Sequence, residues 1–399
     1  MYIPPSERTL LMIPGPTVVT PEVLAAGSRP VLGHSDENFI RMAGETLRRL
    51  RSLFDAPTAQ PVMVAGSGTL AMEMGLANLI EPGERVLILE TGIFARRFQE
   101  IARRCGAESR IEAAPLGEPI DPDQVRLALA SYRPKVVTIT HVDTSTGVRV
   151  DLPALSRLAR EYGALVVVDG VCTIGGEQFH GDAWGIDLAL TASQKAIGGP
   201  PGLALLSVGP RARAARQARK TTFPGLFTDL LNWLPVMEGY EGGQAAYFGT
   251  PAITLIATLH AALEDAFAEG IPARMDRHQR VARSFKAGIK GLGLADIATP
   301  EASANTLTAV QFPPGIGDEL VKAVHDEGVT ISRAIHPALL GRSFRVGHMG
   351  SCGPNEILVT LAAIERGLFR LGFELELGVS LGAAQRELAR TTAPVLASV

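Results

Sequence analysis

The chain has 399 residues, of which 46% are hydrophobic and 20% charged, and its formal net charge at pH 7 is −3. This composition is typical of a globular protein, and the length suits two domains that share a core. The nearly balanced charge indicates no surface for nucleic acid, and no apolar run approaches the ~20 residues that cross a bilayer, so we expect no membrane span.

Strand-length apolar runs alternate with helix-length amphipathic segments through the first half of the chain. This alternation, with nearly continuous apolar strands, predicts an α/β fold with a mostly parallel sheet covered on both faces. The predicted strands are residues 62–65, 85–90, 135–141, 164–169, 186–191 and 203–208. The predicted helices between them are residues 69–80, 93–105, 122–131 and 153–162.

The pattern changes near residue 250, where two long helices are predicted, the first a candidate hinge between domains. Shorter elements of both kinds follow, which predicts a smaller, separate α+β domain. The predicted helices are residues 251–269, 273–291, 318–327 and 355–371, and the strands are residues 306–312, 329–332 and 344–346. We therefore expect an N-terminal substrate-loop segment (1–20), a large domain (21–255), a small C-terminal domain (256–377) and a tail (378–399).

Two of the predicted strands lead to ionisable residues. The run at 164–168 ends in Asp169, and the run at 187–192 leads to Lys195, just before a glycine- and proline-rich turn. A pyridoxal 5'-phosphate (PLP) enzyme needs such a pair, a lysine for the Schiff base and an acid that keeps the pyridine nitrogen protonated. Each residue alone has an ordinary alternative, because most lysines are solvated and an Asp often caps a helix.

Small and polar residues follow three further strands. Ser67, Gly68 and Thr69 open a helix, whose free N–H groups suit a phosphate, although a simple turn is the alternative. Phe94 suits stacking on a flat ring or, more commonly, core packing. Thr144 lies in a hydroxyl cluster that suits either a ligand's phenolic oxygen or a turn. Ligands of open α/β sheets bind at the carboxyl ends of strands, so together these residues indicate one site.

The second half of the chain contains a candidate substrate-binding arginine, and the cysteines indicate the cellular compartment. Arg345, on a short predicted strand, could bind a substrate carboxylate through two N–H groups, the alternative being a surface ion pair. Cys105, Cys172 and Cys352 have no paired spacing, so neither a disulfide framework nor a metal site is predicted. Free thiols, with no secretory-signal pattern at the start of the sequence, lead us to expect a cytoplasmic protein.

Six segments of the sequence resemble the class V, fold-type I PLP aminotransferases, specifically the alanine/serine–glyoxylate aminotransferase group. They are LLMIPGPT, GSGTLAMEM, HVDTSTGV, VVVDGVCTIGG, SQKAIGGPPG and RVGHMG, and the resemblance extends from about Leu10 to Leu371. It implies a transaminase that moves an amino group from a small amino acid, serine or alanine, to glyoxylate or pyruvate. It also implies a homodimer with shared active sites.

The resemblance assigns a role to each candidate residue. Lys195 forms the Schiff base and moves the proton, and Asp169 pairs with the pyridine nitrogen. Arg345 takes the substrate α-carboxylate, and Gly15 lies in an N-terminal loop that closes over the substrate. The implied cofactor contacts are Phe94 on the ring, Thr144 on the phenolic oxygen, Ser67, Gly68, Thr69 and Gln194 on the phosphate, and Tyr247 and Thr250 reaching the phosphate from the neighbouring subunit.

The sequence departs from the family pattern at two positions, and two other functions are considered. Asp143 stands where many relatives have Glu, and His34 stands where ureidoglycine-handling relatives have Gln. A class V lyase of the cysteine desulfurase kind is disfavoured, because Gln194 rather than His precedes the lysine and Cys352 follows the predicted carboxylate-binding arginine. A non-catalytic subunit on the same fold is disfavoured by the intact lysine, acid and arginine.

Overall fold

Helices and strands alternate along residues 9–391, the part of the chain that the computed structural model describes. The strands are β1 (Leu10–Leu11), β2 (Gln60–Ala65), β3 (Arg85–Glu90), β4 (Glu108–Ala113), β5 (Val136–Thr140), β6 (Leu165–Asp169), β7 (Leu188–Ala192), β8 (Leu203–Val208), β9 (Leu307–Gln311), β10 (Val329–Thr330), β11 (Ser332–Arg333) and β12 (Ser343–Gly347). The helices are α1 (Pro21–Ala26), α2 (Glu37–Leu53), α3 (Gly68–Ala77), α4 (Ala95–Arg104), α5 (Pro122–Tyr132), α6 (Leu152–Glu161), α7 (Pro210–Gln217), α8 (Leu230–Glu241), α9 (Ile253–Glu269), α10 (Ile271–Gly291), α11 (Glu319–Asp326), α12 (Pro354–Arg370) and α13 (Val379–Thr391). A short 3-10 helix, Pro337–Leu339, precedes β12.

Seven strands form the large sheet, in the order β2-β8-β7-β6-β5-β3-β4. Only β8 is antiparallel to its neighbours, so the predicted mostly parallel sheet is confirmed. Every residue of β5, β6 and β7 is buried, as expected for strands covered by helices on both faces. In register, Thr140 pairs with Asp169 and Asp169 with Leu190, which brings the carboxyl ends of these three strands to one edge.

A smaller α+β unit follows the large sheet. Strands β11, β12 and β9 form an antiparallel sheet in that order. Its buried core includes Phe285 of α10, Val310 of β9, Phe344 of β12 and Leu361 of α12. The N-terminal segment joins this unit, because Leu10 of β1 pairs in parallel with Val329 of β10. From there the chain passes back to the carboxyl edge of the large sheet.

The structure adds a helix where the sequence analysis assigns a tail. Residues 379–391 form α13, which packs beside α10 and α12, and its Ala384 is fully buried. The Ser284 hydroxyl donates to the Ala384 carbonyl at 3.2 Å. The Glu365 carboxylate accepts from the N–H groups of Gly378 and Ser380, each at 2.7 Å. This part of the predicted tail is thus integral to the smaller unit.

The structure also contains elements that the sequence analysis does not predict, namely β1, α1, α2, β4, α7 and α8. Strand β4 lies at the edge of the large sheet and is only half-buried, so its sequence lacks an apolar run. Among the described residues, no helix has both the length and the apolar character needed to cross a membrane.

Candidate active site

A cavity of about 100 Å³ opens at the carboxyl ends of β2, β3, β5, β6 and β7. It has a carboxylate, an amine and a helix N-terminus at its wall. The lining residues are Ser67, Gly68, Thr69, Met72, Phe94, Arg97, Val142, Thr144, Asp169, Val171, Cys172, Gln194 and Lys195.

Asp169 is the last residue of β6 and is buried, with 5% of its surface exposed. Its carboxylate accepts from the N–H of Val171 at 3.0 Å. Burial raises the pKa of Asp169 to about 6, although this hydrogen bond and the nearby cation of Lys195 act in the opposite direction. A buried carboxyl of this kind is stabilised in its charged form by a cationic partner such as a protonated ring nitrogen.

Lys195 follows β7 and lies against the N-terminal segment. Its Nζ donates to the carbonyl oxygen of Pro14. Thr17 also holds the N-terminal segment against the backbone at Lys195. Its hydroxyl donates to the Lys195 carbonyl at 3.0 Å, and its N–H donates to the Gln194 carbonyl at 3.1 Å. Gly15 has a φ of +124°, and a Cβ there would lie 2.4 Å from Lys195 Cδ. Glycine is therefore required where this segment crosses the lysine.

The N-terminus of α3 forms a cradle of unused donors and acceptors. Ser67 is the N-cap but makes no side-chain capping bond, and a Cβ at Gly68 would lie 2.9 Å from Val171 Cγ2. The Thr69 hydroxyl accepts from Arg97 Nη1 at 2.9 Å. Gln194 Oε1 is buried without a hydrogen-bond partner among the described residues. The free helix N–H groups suit a phosphate group, whose oxygens accept hydrogen bonds.

Asp143 holds the loop after β3 and the hydroxyl cluster together. It is fully buried, and its carboxylate accepts from the N–H of Phe94 at 3.0 Å and from the N–H of Ser145 at 2.9 Å. Burial raises the pKa of Asp143, and these hydrogen bonds partly counteract that rise. A Cβ at Gly92 would lie 2.3 Å from the Asp143 carboxyl carbon, so the two segments are in close contact. Asp143, where many relatives have Glu, therefore holds the Phe94 backbone in place and does not line the cavity.

Thr144 connects the cavity to the smaller unit. Its hydroxyl lies 2.8 Å from the Sγ of Cys172, and both residues are buried. Burial raises the pKa of the Cys172 thiol. The Thr144 carbonyl accepts from Arg345 Nη1 at 3.1 Å. Arg345 is thereby held next to a residue that lines the cavity.

Arg345 is a buried cation that has no carboxylate partner in the described part of the chain. It belongs to β12 and is 7% exposed, and its Nε donates to the Arg333 carbonyl at 3.0 Å. Within residues 9–391 its hydrogen bonds go to backbone carbonyls alone, and it forms no ion pair. Burial lowers the pKa of its guanidinium. A buried arginine is usually paired, so this one is suited to an external anion.

The structure does not bring Tyr247 and Thr250 to the cavity of their own chain. Tyr247 is 61% exposed, and its hydroxyl lies 3.5 Å from the Thr250 hydroxyl. Its ring is 5.0 Å from the ring of His34. By contrast, the predicted residues after β2, β3, β5, β6 and β7 all line one cavity, with Gly15 against Lys195.

The family model for class-V aminotransferases matches residues 22–349. The chain belongs to this family. It is 36% identical to alanine–glyoxylate aminotransferase 1 of Saccharomyces cerevisiae, over 86% of this chain and 93% of that protein. It is 32% identical to L-aspartate–glyoxylate aminotransferase of Paracoccus denitrificans, over 97% and 98%. The crystal structure of ureidoglycine–glyoxylate aminotransferase from Bacillus subtilis superposes with a TM-score of 0.90 at 30% identity, covering 98% of this chain and 99% of that one.

This aminotransferase is PLP-dependent, and its substrates are an amino acid and an oxo acid. Three independent features of the cavity fit the cofactor. Asp169 is a buried carboxyl at one wall, Lys195 presents an amine, and the N-terminus of α3 presents N–H groups that no side chain caps. The expected fold-type I architecture and the family resemblance are both confirmed.

Sequence reasoning misses several residues that line the cavity or contact Lys195. Arg97 lies with its guanidinium carbon 4.5 Å from the centre of the Phe94 ring. Its only sequence signal is its position three residues after Phe94, which places both on one side of α4. Cys172 could be found from its position shortly after Asp169. The Pro14 carbonyl has no sequence signal, because its contact with Lys195 depends on the tertiary path of the N-terminal segment.

Proposed function

We propose that this aminotransferase moves an amino group from serine or alanine to glyoxylate or pyruvate. The observation that carries the proposal is Arg345, a buried guanidinium with no ion pair among the described residues, held beside Thr144. Both substrates carry a carboxylate next to the reacting carbon, so one arginine serves both half-reactions. The name of the yeast relative pairs alanine with glyoxylate, and the other two relatives also have glyoxylate in their names.

The preference for a small donor is supported by the N-terminal segment. Lys195 Nζ contacts the Pro14 carbonyl, and the Gly15 backbone lies directly against the lysine side chain. A Cβ at Gly347 would lie 2.3 Å from the Ile13 carbonyl oxygen, so β12 is also close to this segment. The N-terminal segment therefore lies close both to Lys195 and to β12, the strand that carries Arg345. This close packing favours a substrate side chain of the size of alanine or serine.

The chemistry divides between the cofactor and the protein. When bound, PLP supplies the electron-withdrawing ring that accepts electrons released at the substrate α-carbon. The Lys195 amine holds the cofactor and then moves the proton at that carbon. Asp169 holds a proton on the ring nitrogen through its charged carboxylate. Arg345 orients the substrate through its carboxylate.

The remaining contacts would hold the cofactor in position. Phe94 would cover a face of the ring, and the Thr144 hydroxyl would donate to the phenolic oxygen. The N-terminus of α3, where helix N–H groups are free, would hold the phosphate. The proposed phosphate contacts are Ser67, Gly68, Thr69 and Gln194.

We also propose a homodimer in which Tyr247 and Thr250 complete the phosphate site of the partner. Their support is that the pair is solvent-accessible in a single chain and lies outside its own cavity. The domain boundaries given above, with a large domain over residues 21–255, form part of the same proposal. A cytoplasmic location is supported by three cysteines that are all free.

A sulfur-transfer activity has no comparable support. That chemistry needs an accessible thiolate, whereas Cys352 is buried and burial raises the pKa of its thiol to about 12. The similarity to a cysteine desulfurase, at 14% identity, concerns the fold alone.

The test is a panel of amino donors with the purified protein. Serine, alanine, L-aspartate, phenylalanine and pyridoxamine are each paired with glyoxylate and with pyruvate, and kcat/KM is measured. We expect serine or alanine with glyoxylate to give the largest values. A preference for phenylalanine or for pyridoxamine would contradict the proposal, because the first is too large for the cavity and the second has no carboxylate for Arg345.

A further inference from the structure

The cavity wall contains two cationic side chains, Lys195 and Arg97, among the residues that the structure describes. In the proposed function, the lysine amine holds the cofactor and moves a proton, so it is not available to balance the charge of a phosphate. The phosphate of PLP carries about two negative charges near neutral pH. Arg97 is the remaining source of positive charge at this wall.

Arg97 is held towards the phosphate cradle by two contacts. Its guanidinium carbon lies 4.5 Å from the centre of the Phe94 ring, in a cation–π contact. Its Nη1 donates to the Thr69 hydroxyl at 2.9 Å, one residue into α3. Both contacted residues line the same cavity. The guanidinium of this exposed residue is therefore held at the cradle by Phe94 and Thr69.

Arg97 has no ion-pair partner among the described residues, although it interacts electrostatically with the buried Asp169 carboxylate of the same cavity. Neither α3 nor α4 has an acidic residue in its first turn, although acidic residues are favoured there. Arg97 itself lies in the first turn of α4, where a cation is unfavourable. Its neighbour Arg96 is paired with Glu90 at 3.0 Å, whereas Arg97 forms no ion pair within residues 9–391. Two helix N-termini and an unpaired guanidinium thus meet at one place.

We propose that Arg97 binds the phosphate group of the cofactor and provides the cation of that subsite from within the same chain. The inference rests on the proposed function, since the anion is the phosphate monoester of PLP. Arg97 then acts on cofactor retention and on discrimination between phosphorylated and unphosphorylated forms of the cofactor. Its planar fork suits two phosphate oxygens, with the Thr69 hydroxyl as a third contact.

The test measures the dissociation constants of PLP and of pyridoxal, which lacks the phosphate, for the cofactor-free protein by equilibrium dialysis. Arg97→Gln is compared with the wild type and with Arg96→Gln, a matched control on the next residue. We expect Arg97→Gln to weaken PLP binding about 10- to 100-fold while leaving pyridoxal binding within about twofold. Arg97→Lys should fall between these values, and Arg96→Gln should match the wild type.

The outcomes separate this inference from the proposed function. A wild-type protein that does not bind PLP would overturn the proposed function itself. If the wild type binds PLP and Arg97→Gln binds it equally well, the assignment of Arg97 is wrong. The assignment is also wrong if Arg97→Gln weakens PLP and pyridoxal equally, or if Arg96→Gln weakens PLP as strongly, because the effect would then not depend on contact with the phosphate.

Discussion

Asp169 occupies a position that disfavours its charged form until a cationic partner is present. Its carboxyl is 5% exposed, and burial raises its pKa to about 6 from an ordinary value of 3.8. The folded protein therefore holds this proton more tightly than the unfolded chain does. The contribution of Asp169 to the free energy of unfolding of the cofactor-free protein therefore falls as pH rises from about 4 through about 6, because its carboxyl binds fewer protons in the unfolded chain than in the folded protein.

Asp169→Asn should remove that pH dependence. The amide oxygen of Asn can still accept from the Val171 N–H, so the local structure is retained. A shift of about two pKa units corresponds to about 3 kcal/mol. We expect the unfolding free energy of Asp169→Asn minus that of the wild type to increase by about this amount between pH 4 and pH 7, in urea titrations of the cofactor-free proteins. Curves that stay parallel would contradict the assignment, as would near-normal turnover of Asp169→Asn with PLP.

Substitution of Arg345 should lower kcat/KM equally for both half-reactions. Arg345→Ala removes a bidentate charged contact, which is expected to cost about 2–5 kcal/mol of transition-state binding by analogy with buried charge pairs. Arg345→Lys should also be poor, because an ammonium cannot reproduce the planar fork. The measurement is kcat/KM for the amino donor and for the oxo acid separately, with an amine lacking a carboxylate as the control substrate. If only one half-reaction is impaired, Arg345 is not the common carboxylate anchor.

At the scale of elements, burial decides what can be predicted from sequence. The interior strands β6 and β7 are covered on both faces, so their sequences are continuous apolar runs that are readily found. Edge strand β4 carries Glu108, Arg110 and Glu112 and has no such run, because one side of it meets solvent. Helix α8 contains Pro235, which normally interrupts a helix and hides the element.

A substitution at Glu365 can test whether helix α13, at the end of the described chain, stabilises the smaller unit. Glu365 is 2% exposed, and its carboxylate accepts from Gly378 and Ser380 N–H groups at the start of this helix. Glu365→Ala should lower the free energy of unfolding by about 2 kcal/mol, because the buried Ser380 N–H and the more exposed Gly378 N–H lose their charged partner. Glu374→Ala, an exposed substitution nearby, is the control. Equal stability of the two variants, in chemical denaturation, would show that the start of α13 contributes little.

At the scale of the whole molecule, the active site combines segments that are distant in sequence. The sequence predicts the residues at strand ends, because parallel strands place their carboxyl ends at one edge. It does not predict that Pro14 contacts Lys195, since that contact depends on β1 joining β10 in the smaller unit. It also does not predict that Thr144 holds Arg345 through a backbone carbonyl. These contacts are set by how the two units pack, which no local pattern records.

The proposed sharing of active sites between subunits can be tested by mixing inactive variants. Lys195→Ala lacks the essential amine, and a Tyr247→Ala, Thr250→Ala double variant lacks the proposed phosphate contacts to the partner. In a mixed dimer, one site would combine Lys195 of the second chain with Tyr247 and Thr250 of the first. That site would be complete, while the other would carry both defects. Each variant alone should have little activity, since every site in its dimer is incomplete.

Random reassociation makes half of the dimers mixed, each with one complete site, so about a quarter of the wild-type activity should return. The matched control mixes Lys195→Ala with Asp169→Asn. Both of these residues line the cavity of one chain, so no mixed dimer regains a complete site and no activity should return. Subunits are exchanged in mild denaturant, and activity is measured together with the sedimentation coefficient. Failure of the first mixture to recover activity, or a fully active monomer in sedimentation, would mean that Tyr247 and Thr250 do not act across a dimer interface.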